Sequence, residues 1–525
     1  MIHSLTACDG MVVAPHHLAA QAGLDVLKDG GTAVEACVTV AATLAVVYPH
    51  MTSVGGDGFW LVHEPDGRVH AIDACGAAAA HADRALFAGH AEIPWRGPLA
   101  AITVAGTVSG WEAALDGDGG TMPLARLLRD PVRLTRTGVP VTTGAAAIAR
   151  DKGDELRVQP GAYREIFEPE GRPLRIGDLL RQPALADTFE MLASCGLGAF
   201  YDGPLAQMIA ADLALLGSPL TLTDLSAHRA RRPAPLSTGL REGFVYNTAP
   251  PTQGLASLLI LALFDRIEAP CDSFAHVHAL VEATKHAFRI RDARVGDPDG
   301  SPAEAQDVLD DLDRLDALAA SIDMSRAAPW PNPFNPGDTT WFAAADRRGQ
   351  VVSCIQSTYF EFGSGLVLPQ TGIVWQNRGA SFRLSGGGPN LLAPGRRPFH
   401  TLNPALAKLA DGRVMAYGTM GGDGQPQTQA AIFTRHARYG MPLQQAVTAP
   451  RWLLGRTWGE TSTSLKLEGR FPTELVAELV GAGHEVDVLD DFTSVMGHAG
   501  AIVRHPTGVL EGASDPRSDG SVAAW

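Results

Sequence analysis

The spacing of apolar residues near the start of the chain predicts two consecutive helices. In residues 15–28, apolar side chains recur three or four positions apart, and Gly30-Gly31 follows as a helix stop. A second helix is predicted after Thr32, through the apolar run 33–48. That run contains a glutamate and is too short to span a bilayer, so we expect a buried helix rather than a membrane segment.

Alternation with the period of a strand appears in two later places. Residues 58–63 and 69–72 flank a Pro-Asp-Gly turn, and residues 339–345 and 351–356 flank a four-residue turn that ends in glycine. Both patterns predict β-hairpins. A long helix is predicted over 274–294. Helices followed directly by antiparallel strands favour stacked layers over a doubly wound parallel sheet.

Composition and charge narrow the class of protein. The chain has 525 residues, of which 45% are hydrophobic and 19% charged, as in ordinary globular proteins with a large core. The formal charge of −15 and the pI near 5.5 argue against a nucleic-acid surface, which needs clustered Lys and Arg. We therefore expect a small-molecule substrate and no nucleic-acid or membrane partner.

The cysteines and the first residues indicate a compartment. The six cysteines lie far apart and form no CxxC pair, which favours reduced thiols over disulfides or a zinc site. The first ten residues are polar and do not resemble a secretory leader. Together these features predict a cytoplasmic protein.

One face of the predicted helix 274–294 carries residues that could bind a metal ion. His278, Glu282 and His286 fall at i, i+4 and i+8 of the predicted helix 274–294. No HExxH motif accompanies them, and a polar helix face with satisfied side chains is the more ordinary interpretation. We expect no metal ion and no organic cofactor.

A proline-rich seam divides the chain. Residues 327–338 hold four prolines, two asparagines and a glycine, a composition that excludes a helix or a central strand. We expect this seam to be exposed and extended. Thr339, the residue that follows it, opens a predicted core strand.

The chemistry of Thr339 depends on its bond to Asp338. If that bond were broken, Thr339 would carry a hydroxyl and a free α-amine on the same residue. Such an amine has a pKa of roughly 7.7 to 8.0, so it can act as the base for a hydroxyl nucleophile without a histidine. A threonine pair at the start of a strand is by itself more typical of β-propensity, so this hypothesis needs further motifs.

A series of motifs in a fixed order supplies them. Thr339-Thr340, a hairpin with Asp346 and Gly349, and the FGSG motif at 362–365 resemble the gamma-glutamyltranspeptidase family. Further segments that resemble the family run nearly end to end, at 10–13, 30–36, 55–59, 105–110, 296–298, 418–422, 449–451 and 512–517. The resemblance implies an α+β fold, the four-layer αββα sandwich of N-terminal nucleophile hydrolases. It also implies an inactive precursor that cleaves itself.

In this chain the implied cleavage site lies between Asp338 and Thr339. Cleavage there would give a large subunit of residues 1–338 and a small subunit of residues 339–525, which together form one αββα unit. We expect the two subunits to stay associated, and a dimer of such pairs is a further level of assembly to consider.

The resemblance also implies roles for single residues. The family nucleophile maps to Thr339, and the glycines of its oxyanion hole map to Gly421 and Gly422. Glycines there let backbone N–H groups approach a developing oxyanion, and a helix predicted after them favours negative charge at its N-terminus. Ser357 and Thr401 match hydroxyls that orient the nucleophile and assist maturation. Each of these residues also has an ordinary interpretation as part of a turn or cap.

The sequence departs from the family where the family holds a glutamyl group. The segment 73–79 lacks the arginine that binds the α-carboxylate, and Ser381 replaces the acid that binds the α-amino group. In their place, Arg378, Tyr359 and His400 predict a smaller, net-positive pocket for a short anionic amide, with Ser381 at its edge. This pattern resembles the branch of the family that hydrolyses oxamate to oxalate and ammonia in the use of purine nitrogen.

Alternatives stay open at the level of residues and of function. Arg378, Tyr359 and His400 also fit a surface cation, a core aromatic ring and a buried structural histidine. The main hypothesis is a self-processing amidohydrolase with a Thr339 acyl-enzyme. One alternative is a gamma-glutamyltransferase or glutathione hydrolase that uses other residues for the missing contacts. The other is an uncleaved, non-catalytic binding protein.

Overall fold

The computed structural model describes residues 3–117, 119–299, 305–330, 338–455 and 462–525, with the backbone alone for Asp338. The helices of these residues fall into two groups, one before and one after the strands at 338–359, and their bounds are α1 His17–Lys28, α2 Ala33–Val47, α3 Thr107–Gly117, α4 Leu124–Leu127, α5 Arg129–Thr137, α6 Thr143–Leu156, α7 Tyr163–Phe167, α8 Pro183–Cys195, α9 Pro204–Leu216, α10 Leu222–Ala227, α11 Gly254–Phe264, α12 Phe274–Arg294, α13 Ala305–Asp310, α14 Leu312–Ala320, α15 Gly424–Phe433, α16 Leu443–Thr448 and α17 Thr473–Gly481.

The strands are short to medium in length and most pair antiparallel. Their bounds are β1 Leu5–Ala7, β2 Gly10–Ala14, β3 Asp57–His63, β4 Val69–Ala74, β5 Val139–Pro140, β6 Leu179–Leu180, β7 Leu236–Leu240, β8 Gly243–Asn247, β9 Asp338–Asp346, β10 Val351–Tyr359, β11 Ala405–Leu409, β12 Val414–Thr419, β13 Trp452–Leu454, β14 Leu465–Glu468, β15 Val486–Leu489, β16 Ala499–Arg504, β17 Leu510–Ser514 and β18 Ser521–Ala524. Short 3₁₀ turns lie at Arg84–Phe87, Leu197–Phe200, Arg378–Ser381 and Ser494–Met496, and a turn of π-helix, Thr434–Arg438, continues α15.

Two large sheets form the centre of the molecule. One has seven strands in the order β1-β17-β16-β12-β11-β8-β7, and the other has six in the order β18-β2-β9-β10-β3-β4. Strands β9 and β12 belong to different sheets and contact each other across the space between them. Helices α1 and α2 cover the outer face of the six-stranded sheet, and α11 and α15 cover that of the seven-stranded sheet. The result is four layers in the order αββα, as the sequence predicted.

Three hydrophobic cores lie between the four layers. One lies between the six-stranded sheet and its helices, one between the other sheet and its helices, and a smaller one between the two sheets. Because side chains alternate along a strand, each central strand serves two cores. In β9, Trp341, Ala343 and Ala345 enter the core between the sheets, whereas Phe342 and Ala344 face the helices.

This alternation determines where Thr339 points. Thr339 shares the period-2 set of Trp341, so its side chain is on the face that looks toward the second sheet. The pairing of β9 with β10 is interrupted there, because Gln356 pairs with Thr340 and Tyr359 pairs with Asp338. Two residues of β10 therefore oppose Thr339 alone, which is a β-bulge, a feature frequent next to active sites.

The local elements predicted from the pattern of apolar residues are present. Helix α1 ends at Lys28, α2 fills the predicted buried run, and α12 has the predicted bounds. Thr32 caps α2, and its side chain and that of Glu35 exchange hydrogen bonds with each other's backbone N–H groups in a capping box. Helix α15, predicted after the glycine pair, begins at Gly424.

The seam lies partly outside the described residues. Residues 331–337 are not described, so the prediction of an exposed, extended segment is left untested there. Ala327 to Trp330 have no regular secondary structure, and Pro329 is exposed. All six cysteines carry free thiols, as expected. Among the described residues, no helix combines the length and apolar character needed to cross a membrane.

Candidate active site

Thr339 is fully buried at the start of β9. Its hydroxyl oxygen accepts a hydrogen bond from the side-chain amide of Gln425, with 2.7 Å between Nε2 and Oγ1. The next residue, Thr340, donates its hydroxyl to the carbonyl of Gln356 at 2.8 Å and so fixes the two strands at the bulge. The predicted nucleophile therefore lies in a defined, buried position on the face of β9 that looks toward the second sheet.

The glycine pair predicted as an oxyanion hole lies between β12 and α15. Gly421 and Gly422 have φ values of 115° and 52°, which glycine adopts more readily than other residues. The N–H of Gly424 donates to the carbonyl of Gly421 at 2.7 Å, and the N–H of Gln425 donates to that of Gly422 at 3.2 Å. The pair is thus held at the N-terminus of a buried helix, where negative charge is favoured.

Gln253 links the glycine pair to the segment that carries Thr401. Its Nε2 donates to the carbonyl of Thr401 at 2.6 Å and to the carbonyl of Gly422 at 2.8 Å. Its Oε1 accepts from Arg291 at 2.8 Å, and the same Arg291 nitrogen donates to Asp423 at 2.7 Å. All of these groups are buried, so the spacing between Thr401 and Gly422 is fixed by a buried polar network.

The bulge in β10 positions two further predicted residues. Ser357 accepts a hydrogen bond at Oγ from the backbone N–H of Tyr359, at 2.7 Å. Tyr359 has a φ of 83°, an uncommon conformation for a residue with a large side chain. Such strained positions cluster at functional sites, and here the strain directs the phenol ring toward Arg378.

Arg378 is a buried cation and not the surface cation of the alternative interpretation. Its guanidinium carbon lies 3.7 Å from the centre of the Tyr359 ring, and its Nη1 donates to Thr401 Oγ1 at 3.4 Å. Its Nε and Nη2 have no hydrogen-bond partner among the described residues. Burial lowers the pKa of Arg378 to about 10, with Tyr359 and Asp57 acting in the opposite direction, so it remains charged at neutral pH.

His400 forms a buried pair with Asp57, 2.9 Å from Nε2 to Oδ2. Burial, and then the charge of Arg378, holds the pKa of His400 well below its usual value, so the ring is neutral. When Asp57 is ionised, Nε2 carries the proton and Nδ1 is an acceptor, and Nδ1 has no partner among the described residues. Burial raises the pKa of Asp57 to about 7, against Arg378 and N–H donors from Gly76 and Gly106.

Ser381 lies at the edge of this group. Its hydroxyl donates to the carbonyl of Phe399 at 3.1 Å, and its own carbonyl accepts from Asn390 at 2.6 Å. These bonds hold the 3₁₀ turn that carries Arg378 against the segment that carries His400. Ser381 therefore contacts Phe399 and Asn390, and its predicted role in binding substrate stays a prediction.

Among the described residues, three clusters bring together residues of metal-ligand type, and one of them, Cys271, Asp272 and His276, includes an ion pair between Asp272 and Arg435. In the first cluster, the ligand atoms of Asp57, Cys75 and His400 all lie within 4.8 Å of one another. Burial raises the pKa of the Cys75 thiol, and a thiol that keeps its proton is a poor metal ligand. In the third cluster, His278 hydrogen-bonds His484 at 2.8 Å and Glu282 pairs with Lys285 at 2.6 Å. His278 and Glu282 of the predicted helix face thus have hydrogen-bonding partners, whereas His286 lies outside the cluster and hydrogen-bonds Ser321 at 3.4 Å.

The structure also adds residues that sequence reasoning missed. Gln425, Gln253 and Asp57 contact predicted site residues directly. Asp57 was visible in the Gly55-to-Phe59 motif, where an acid between glycines in an apolar strand is a signal of burial with a partner. The two glutamines carry no comparable signal, because a glutamine in a helix, like Gln425, or directly before one, like Gln253, is ordinary.

The four-layer αββα fold is that of the N-terminal nucleophile hydrolases. The chain belongs to the gamma-glutamyltranspeptidase family, whose family model matches residues 19–525. It is similar to the oxamate amidohydrolase proenzyme of Klebsiella pneumoniae subsp. pneumoniae, with 55% identity over 100% of both chains. It is also similar to the glutathione hydrolase-like YwrD proenzyme of Bacillus subtilis, with 40% identity over 99% of each.

A solved structure supports the same assignment. The cephalosporin acylase of Bacillus halodurans is 33% identical and superposes with a TM-score of 0.92, over 100% of this chain and 97% of that one. The family and the αββα fold predicted from the sequence are therefore confirmed.

Proposed function

We propose that the chain cleaves itself between Asp338 and Thr339 and then hydrolyses a short amide that carries a carboxylate, with oxamate as the best candidate. The observation that carries the substrate class is the buried guanidinium of Arg378, whose Nε and Nη2 have no partner among the described residues. These two nitrogens form the edge of a guanidinium that binds a carboxylate through two parallel hydrogen bonds. The relative named for oxamate hydrolysis supports this choice.

Maturation follows from the position of the Thr339 hydroxyl. Oγ1 attacks the carbonyl carbon of Asp338, and the bond from that carbon to the Thr339 nitrogen breaks. Water hydrolyses the ester that results, which leaves Asp338 as a carboxylate and Thr339 with a free α-amine. The products are the subunits 1–338 and 339–525. The names of the relatives, which are proenzymes, support this step.

Turnover uses the amine that maturation frees. The amine takes the proton of Oγ1, and Oγ1 attacks the amide carbon while N–H groups of Gly421 and Gly422 stabilise the oxyanion. The carbon–nitrogen bond breaks, the nitrogen takes the proton from the ammonium of Thr339, and ammonia leaves. Water then attacks the acyl ester and releases the acid.

The two charged residues that would hold a glutamyl group in the family manner are absent from this chain. Cys75 lies in the segment that lacks the carboxylate-binding arginine, and Ser381 is bonded to the pocket wall. The ring of Tyr359 covers Arg378. A two-carbon substrate would place its carboxylate on Arg378 and its amide near Thr339.

Maturation is tested by the number of pieces and their first residues. We expect two bands on a denaturing gel and a new N-terminus at Thr339, and one band for Thr339→Ala. Methionine as the sole N-terminus of active enzyme would contradict the proposal and favour an uncleaved protein.

The substrate is tested by comparing two assays on the same mature protein. We expect ammonia release from oxamate and little release of p-nitroaniline from a gamma-glutamyl anilide. The reverse result would identify a gamma-glutamyl hydrolase or transferase instead.

A further inference from the structure

Gln425 contacts the nucleophile with only one of its two polar atoms. It is the second residue of α15, its side chain is fully buried, and its Nε2 donates to Thr339 Oγ1 at 2.7 Å. Its other atom, Oε1, is buried and has no hydrogen-bond partner among the described residues. A buried acceptor without a partner costs about 1–3 kcal/mol, so a ligand that supplies a donor would relieve that cost.

The direction of the amide is fixed by the chemistry proposed for Thr339. Once the α-amine takes the proton of Oγ1, that oxygen can only accept a hydrogen bond, so the NH₂ end of Gln425 must face it. Oε1 then lies at the other end of the same planar amide group, on the side of the atom that is bonded to the substrate carbonyl carbon. In an amide substrate, that atom is the nitrogen that leaves.

We propose that Gln425 is a catalytic residue that holds both reacting groups, with Nε2 on the Thr339 hydroxyl oxygen and Oε1 on an N–H of the amide that leaves. The proposal rests on the amide hydrolysis proposed above and narrows the substrate class to amides with an N–H available to Oε1. An N–H fixed on Oε1 turns the lone pair of the nitrogen toward the Thr339 ammonium. That nitrogen then accepts the proton as the carbon–nitrogen bond breaks, and ammonia leaves.

The backbone supports this assignment. The N–H of Gln425 donates to the carbonyl of Gly422, so the glutamine and the glycine pair that faces the oxyanion are parts of one turn. The nucleophile, the oxyanion donors and the leaving nitrogen would all be positioned by the first turn of α15. A buried helix turn is a rigid support for such groups.

The test compares an amide with an ester of the same acid. Oxamate and monomethyl oxalate share the carboxylate and the carbonyl, but only oxamate has an N–H on the leaving atom. For Gln425→Met, we expect kcat/KM to fall on the order of 10-fold to 100-fold with oxamate and clearly less with the ester, because only the amide loses the Oε1 contact. Rates are normalised to the fraction of chains that begin at Thr339.

Gln425→Glu separates the two ends of the side chain. A carboxylate still accepts the N–H of the amide but cannot donate to Oγ1, so both rates fall while the preference for the amide is retained. Gln427→Met is the matched control, because Gln427 is buried on the same helix but its Nε2 donates to the carbonyls of Asp423 and Leu454 and not to Thr339. It should leave the ratio of the two rates unchanged.

Three results would overturn the proposal. Equal losses with amide and ester in Gln425→Met would leave Gln425 a positioning residue for Oγ1 alone. No loss with either substrate would remove it from the reaction, and the same change of ratio in Gln427→Met would assign the effect to the helix. If the unaltered enzyme is uncleaved or hydrolyses no amide, the proposed function itself fails, and that outcome is visible before any variant is made.

Discussion

At the scale of single residues, the charge of the site is set by Arg378. Its guanidinium is stacked on Tyr359 and bonded through one nitrogen to Thr401, which leaves its other edge for a ligand. A lysine would keep the charge but lose the planar edge and the stacking. The geometry, more than the charge, should therefore decide the affinity for a carboxylate.

For Arg378→Lys, we expect kcat/KM for oxamate to fall on the order of 10-fold to 100-fold, mainly through KM. Oxamide has the same size but no carboxylate, so its hydrolysis should change much less. Initial rates of ammonia release with both substrates measure the difference. A parallel loss with oxamide would show that Arg378 supports the fold of the pocket and does not bind the carboxylate.

The buried pair of Asp57 and His400 predicts a dependence of stability on pH. The folded pKa of Asp57, about 7, lies above its ordinary value of 3.8. Between about pH 4 and pH 7, the Asp57 carboxyl is therefore protonated in the folded state and ionised in the unfolded state. The contribution of Asp57 to the free energy of unfolding is full below about pH 4 and is lost as the pH rises through 7.

We expect Asp57→Asn to remove that dependence. The difference in Tm between the variant and the parent should move in favour of the variant from pH 5 to pH 8. The measurement is made on Thr339→Ala chains, so that one uncleaved chain unfolds. Exposed Asp202→Asn makes the same change of charge at the surface and is the control. A constant difference across this range would mean that Asp57 titrates at an ordinary pH.

At the scale of elements, the turn between β12 and α15 depends on backbone conformation. A side chain on Gly421 would meet nothing closer than the Cα of Gly497, at 3.6 Å, so space is available. The obstacle is the φ of 115°, which costs a residue other than glycine about 1–3 kcal/mol. Relief of that strain would rotate the N–H groups of the turn.

For Gly421→Ala, we expect kcat to fall on the order of 100-fold or more, as when one oxyanion donor is lost. Gly483→Ala is the control, because Gly483 also has a positive φ, 98°, and open space around it, but lies far along the chain at the end of α17. The control should lower Tm and leave kcat unchanged. Equal kcat values for the two variants would exclude Gly421 from oxyanion binding.

The same scale shows what the sequence can and cannot predict. Helices α1, α2 and α12 and both predicted hairpins depend on local periodicity and caps, and these were predicted with small errors at the ends. The pair of Asp57 and His400 joins residues 343 positions apart, and no local pattern indicates such a contact. Gln425 was missed for the same reason, since its partner Thr339 lies 86 positions away.

At the scale of the whole molecule, the two predicted subunits share both sheets. In the six-stranded sheet, β2 of the first piece lies between β18 and β9 of the second, and β3 pairs with β10. In the seven-stranded sheet, β1 pairs with β17 and β8 with β11. Five strand pairings thus cross between the pieces, together with all three cores.

We therefore expect the cleaved pieces to co-elute from a sizing column at any salt concentration that leaves the fold intact. They should separate only in denaturant, because the contact between them is a shared core and not a surface interface. Dissociation in high salt alone would contradict this arrangement. The elution volume also reports how many αβ pairs assemble.

The position of β9 between β2 and β10 has a consequence for recovery from unfolding. While the chain is continuous, the two halves remain close together and can find each other again. Once it is cut, each half alone exposes unpaired strand edges, and reassembly becomes a second-order process that competes with aggregation. Diluted from denaturant, Thr339→Ala should regain its structure, whereas the mature pair should not. The mature enzyme would then be kinetically stable, because it unfolds slowly. It could be formed from its precursor but not from the two separated pieces.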